Sequence, residues 1–278
     1  MTTRSFFAAN DQLHHLHVEA FKAVIRLNNT AEEAYQAGHG GPLLHGSMLS
    51  MTGDILCLHR AVWCLCDGGW AFAAPVLLRT MMDLIISAVA VVSRKDDSEF
   101  MGFKYMYGFQ KAGLASRNVT HSAKEDAQVD LEKAIEHMNP DDQARARTFL
   151  GAKLGTSYWY SPEYSSPSDV LDTAVQSPHL KSLYKGLSGA THAGFAGLRE
   201  FRDHPEVIHS MPRMDKAAQN RALALSTRLL LEFAVLRASV EAPSAVQQCR
   251  QLMADLADAC SKYQLMPETA ESVTSSLV

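Results

Sequence analysis

A chain of 278 residues, 47% of them apolar, is long enough to bury a sizeable core as one large domain or two modest ones. Its formal charge of −4 sets it apart from dedicated nucleic-acid binders, which carry a strong basic excess, although a local basic patch is compatible with it. The five cysteines are an odd number, and Cys57, Cys64 and Cys66 fall in one expected helix, so they read as small buried hydrophobes in a reducing cytoplasm rather than as a disulfide framework.

The N-terminal run MTTRSFFAANDQLHHLH lacks the apolar centre of a signal peptide. A first helix is expected over Asn10–Ala37, with Asn10 or Asp11 as its cap and an apolar stripe of Leu13, Leu16, Ala20, Val24 and Leu27. Gly38–Pro42 stops it. The second helix spans Leu43–Cys66 and turns at Asp67-Gly68-Gly69 into a third, Phe72–Ser93, making an antiparallel pair. The most apolar stretch of the chain, Ala71–Val92, is broken by Arg79 and Asp83. Its uninterrupted part is too short to span a bilayer, so it reads as a core helix of a soluble, cytoplasmic protein.

A fourth helix is expected over Glu99–Asn118, with Phe100, Phe103, Tyr107 and Leu114 along one side. The charged fifth, Ala123–His137, lies at the surface. Asn139 and Pro140 open a sixth that ends near Gly151. Gly155–Asp169 is an aromatic irregular segment that either pins the core or covers a pocket. After a short helix at Asp169–Val175 comes Ser177–Phe201, taken as the helix around which the chain is organised. A loop, Arg202–Pro212, separates it from the amphipathic helix Asp215–Val240. Ser244–Tyr263 is the last helix, and the Ser/Thr-rich tail 267–278 is expected to be flexible. With no alternating strand pattern, the chain reads as an all-α bundle of about eight to ten helices. It forms one domain, 1–266, in which 119–153 is a helical-hairpin outgrowth.

Two constellations could carry chemistry. Arg79 and Asp83 stand four residues apart on the most apolar helix; a buried guanidinium needs a partner, and Asp83 is the local one. The planar, permanently charged Arg79 fork is also suited to hold an anion. Tyr184, Ser188 and His192 form a second ladder at four-residue spacing, on one face of a helix rich in small residues. His192 is the general acid/base candidate, with Ser188 one turn away and Asp83 able to orient it if the two helices pack together. Each cluster reads equally as a satisfied core network.

The Arg79-x3-Asp83 pair, Trp159, and Tyr184-x3-Ser188-x3-His192 follow one another in order. This pattern resembles a helical, mainly bacterial family, the domain of unknown function fifty-six seventy-seven, over about Leu43–Arg199. The family's acid is usually Glu, where this chain has the shorter Asp83. The resemblance implies an all-helical fold and no established activity. A second resemblance is to HEPN-type ribonucleases, in which four to six residues separate an Arg from the His that follows it. Arg202-Asp203…His209 fits that spacing with Pro205 inside it, Arg199…His204 fits loosely, and Arg117-Asn118…His121 is one residue short.

For metals, His14, His15 and His17 cluster without an acidic fourth ligand. HExxH, CxxC and repeated Glu-x-x-His patterns are absent, as are phosphate-loop and dinucleotide fingerprints, so no metal or cofactor is expected. The expected site is Arg79, Asp83, Tyr184, Ser188 and His192, with Arg79, Tyr184 and Trp159 contacting a small anionic ligand. The other partners considered are a second copy of the chain, and RNA only under the ribonuclease reading; no membrane is expected.

Overall fold

The computed structural model describes residues 7–115, 120–136, 138–151, 159–175, 178–191, 214–263 and 265. Among them there is no strand, and the fold is an all-α multi-helix bundle. The helices are α1 (Asp11–Gln36), α2 (Pro42–Asp67), α3 (Ala74–Val92), α4 (Ser98–Ala115), α5 (His121–Glu136) and α6 (Pro140–Gly151). They are followed by α7 (Pro167–Val170, continued by a π-helical turn Leu171–Val175), α8 (Pro178–Thr191), α9 (Lys216–Glu241) and α10 (Val246–Lys262).

The helix starts follow local chemistry. Asn10 Oδ1 accepts from the Gln12 and Leu13 N–H groups, and Asn139 Oδ1 accepts from Asp142 N at 2.9 Å. Asp215 caps α9 by accepting from Ala218 N at 2.8 Å. The start of α2 has no side-chain cap of its own. Glu99, at the start of α4, supplies one from outside, accepting from Leu43 N at 3.1 Å and Leu44 N at 2.9 Å. A side chain on Gly41 would run into that carboxylate, which is why glycine stands there.

The element that fills the middle of the bundle is α9. Leu223, Leu229–Leu231, Phe233–Leu236 and Ala238 are all buried, and the helix packs on α1, α2, α3 and α10. It is buried nearly all round, with Ser226, Thr227, Glu232 and Arg237 inside as well, so it is enclosed rather than amphipathic, contrary to the sequence expectation. The organising role expected of Ser177–Phe201 therefore belongs to α9. The described part of that stretch, α8, lies chiefly against α3. Next to α9, α3 buries Met81, Met82, Ile85, Ile86 and Ala88–Val92. Ala71–Val92 is long and apolar enough to cross a membrane by length and composition, yet 56% of its most apolar window is buried inside the bundle.

A smaller apolar cluster unites the α5–α6 hairpin with α4 through Leu43, Phe100, Phe103, Leu131, Ile135, Met138 and Ala146. The close passage of α4 over the start of α2 depends on Gly102, whose added Cβ would meet the Leu43 carbonyl oxygen at 2.6 Å. The loop Arg202–Pro212 and the tail 267–278 lie outside the described residues.

Candidate functional site

The α3–α8 contact brings four of the five expected site residues together. Arg79 Nε donates to Ser188 Oγ at 2.8 Å, and the guanidinium carbon lies 3.9 Å above the Tyr184 ring centre. Ser188 in turn donates to the Tyr184 carbonyl at 2.8 Å, which fixes its hydroxyl one turn along α8. On the other side Arg79 Nη1 pairs with Asp83, one turn along α3. Packing, a cation–π contact and a hydrogen bond thus fix the plane of the guanidinium. Exposure differs across the cluster: the Arg79 side chain is 14% exposed, that of Asp83 49%. Nη1 is buried and, despite the ion pair, has no hydrogen bond of acceptable geometry among the described residues. The cluster is a fixed cation whose own counter-ion stands half in water.

The remaining expected residues fall elsewhere. His192 follows α8 directly and lies outside the described residues, as do Arg199, Arg202, Asp203, His204, Pro205 and His209. Trp159 meets Tyr105 of α4 edge-on at 5.3 Å and Tyr160 at 5.2 Å. Its segment is tied to α3 at Ser93, whose hydroxyl shares a 2.7 Å hydrogen bond with Tyr164. Ser93 is about 21 Å along the helix from Arg79. Arg117 and Asn118 are outside the described residues, and His121 is a surface residue at the start of α5.

The N-terminal histidines separate. His14 accepts from Trp63 Nε1 at 3.1 Å, His15 is exposed, and His17 turns into the core. No group of three metal-ligating side chains occurs among the described residues.

Three buried polar networks were not singled out from the sequence. In the first, Arg237 of α9 is wholly buried. It donates from Nε to Glu241 at 2.5 Å and from Nη1 to Asn28 at 2.9 Å and Thr52 at 2.5 Å. His45 sits between Glu241 and Glu32. In the second, His17 and His59 stack at 3.5 Å between ring centres. His59 Nε2 donates to the His17 carbonyl at 3.0 Å, so Nδ1 is the acceptor for Ser226 Oγ at 2.8 Å. His17 Nδ1 lies 3.2 Å from Thr227 Oγ1. Burial pushes His59 down to about 4, and burial together with the charge of His59 and His14 pushes His17 down to about 2, so both rings are neutral in the fold. In the third, Lys104 of α4 is 1% exposed and bridges to Glu163 and to the Ser161 carbonyl, fastening the 159–166 segment to α4. Burial lowers its pKa, and the hydrogen bond that its ammonium donates to Glu163 opposes that.

Residues 48–207 match the profile of a family described as "Family of unknown function (DUF5677)", over more than half of the chain. The chain belongs to this family. No curated protein and no solved structure gives a match. The DUF5677 match runs from α2 through α8, so it takes in Arg79, Asp83, Tyr184 and Ser188, and also Lys104 with Glu163. It leaves out α1, α9 and α10, and with them Arg237, Glu241 and Glu32. The α3–α8 cluster is therefore made within the DUF5677 region itself, whereas the Arg237 network joins that region to the helices outside it.

Proposed function

We propose that this DUF5677 protein binds a small anionic ligand at the α3–α8 contact, with Arg79 as the cation that receives it. The observation that carries the reading is the way Arg79 is held. Tyr184 and Ser188 fix the guanidinium from the α8 side, and they keep doing so if Asp83 turns away into solvent. A carboxylate or phosphate oxygen can then take the place of Asp83 on Nη1, with the orientational cost of the guanidinium already met by the fold. The exposure of Asp83 supports this over a sealed core network, in which a displaced carboxylate would have nowhere to go.

The ribonuclease reading has no specific support in the described geometry. The test is thermal unfolding with phosphate, sulfate, acetate and citrate. At least one anion is expected to raise Tm in the wild type, less or not at all in Arg79→Met, and at lower concentration in Asp83→Asn, where the internal competitor is gone. If no anion raises Tm, or if the rise persists in Arg79→Met, the assignment fails.

A further inference from the structure

At the junction of α1, α2 and α9 a histidine has an acid on each side. His45 Nδ1 lies 2.7 Å from Glu241 Oε1, and Nε2 lies 3.0 Å from Glu32 Oε2. An ionised carboxylate only accepts. Both contacts are therefore hydrogen bonds only when both ring nitrogens carry a proton. A neutral ring has one N–H and turns a lone pair toward the second carboxylate. The surroundings suit the cation: Tyr35 of α1 lies flat on the ring, 4.3 Å between centres and 3° between planes. Hydrogen bonds from Gln36 and then from His45 hold the Glu32 carboxyl below its ordinary range, so it stays an acceptor.

Among the described residues, the charged and titratable groups that contact the ring or its immediate partners include Glu32 and Tyr35 from α1, Glu241 and Arg237 from α9, and, from α4, Glu99 on the N–H groups of Leu43 and Leu44 just before it. With His45 cationic, the charges of Glu32, Glu241, Arg237 and His45 cancel. With a neutral ring, one negative charge is left where the His45 side chain is 8% exposed and that of Glu241 6%.

We propose that His45 is a proton-held latch: doubly protonated, it fastens the C-terminal half of α1 to the C-terminal end of α9, and loss of one proton frees the Glu32 side. Glu32 is the arm that yields. Its side chain is 43% exposed and Gln36 remains its partner at 2.9 Å, whereas Glu241 is held in place by Arg237. Releasing that arm loosens α1 where Asn28 also meets Arg237, so the proton state of one ring sets how firmly α1 closes over the buried arginine.

The measurement is 1H–15N correlation of the histidine side chains in the full chain, paired with hydrogen exchange of the α1 amides. In the latched state both His45 ring nitrogens should carry a proton. Across a pH series, the step at which one ring proton is lost should also speed exchange around Asn28–Tyr35 by about tenfold beyond the intrinsic increase. Glu32→Gln changes a half-exposed side chain, and its carboxamide can donate or accept, so it should pair with either ring state and abolish the extra exchange. A ring with one N–H throughout the pH range in which the chain is folded, or the same extra exchange in Glu32→Gln, overturns the latch.

Discussion

Two arginines in this bundle are built alike and behave differently. Arg79 of α3 and Arg237 of α9 each pair with an acid one turn onward, Asp83 and Glu241, and each also hydrogen-bonds to a hydroxyl on a neighbouring helix, Ser188 or Thr52. What separates them is water. The Arg237–Glu241 side chains are 0% and 6% exposed, those of Arg79–Asp83 14% and 49%. In the sealed pair neither charge can leave without stranding the other, so the pair locks α9 to α1 and α2. In the open pair the acid can turn into solvent while the guanidinium stays on Tyr184, and the proposed anion-binding role rests on that difference. Exposure of the acid, not the presence of the arginine, is what distinguishes the two pairs.

The variants that strain this comparison run from large effects to small. Arg237→Met leaves Glu241 buried without its cation, and urea unfolding should show a loss of roughly 3–5 kcal/mol; a loss below about 1 kcal/mol would mean that the network is not sealed. The histidine stack on the same side of the bundle gives the next effect. His17 and His59 are neutral in the fold, with values near 2 and 4, and below about 6.5 the unfolded chain takes up protons that the folded one refuses. Their contribution is therefore complete above about pH 6.5 and declines as the pH falls toward about 4, by on the order of 3 kcal/mol for His59 alone. Unfolding free energy measured against pH checks this, and a flatter acid limb is expected in His59→Gln. Arg79→Met should cost only roughly 1–2 kcal/mol, because it removes one hydrogen bond, a stacking contact and a half-exposed ion pair. Asp83→Asn should stay within about 0.5 kcal/mol of the wild type, since the pair it weakens is solvated.

Much of the Arg79 site could be read from spacing. Four-residue separations placed Arg79 with Asp83 and Tyr184 with Ser188, and the need of a buried cation for partners predicted that their helices would meet, as they do. The same spacing rule applied to Arg237 and Glu241 would have found the second network, but α9 was taken for an amphipathic helix and the rule was not applied to it. Its run of Leu, Ala and Val on every side was the signal that it is enclosed. The histidines show the limit of one-dimensional reading. His17 was grouped with His14 and His15 as one cluster, yet its real partners, His59 and Thr227, come from α2 and α9. Such long-range pairs leave no local periodicity. The Trp159 assignment followed motif order alone, whereas the ties of its segment to α3 and α4, through Ser93 and Lys104, are contacts that motif order does not carry.

The most direct measurement of the contrast between the two arginines is a titration of the full-length protein with phosphate, following the side-chain Nε–H signals of both by NMR. The account predicts that the Arg79 signal shifts and saturates, together with the Tyr184 ring protons, while the Arg237 signal does not move. An Arg79 signal that stays fixed at saturating phosphate, sulfate and citrate alike, or one that shifts no more than Arg237, would contradict it.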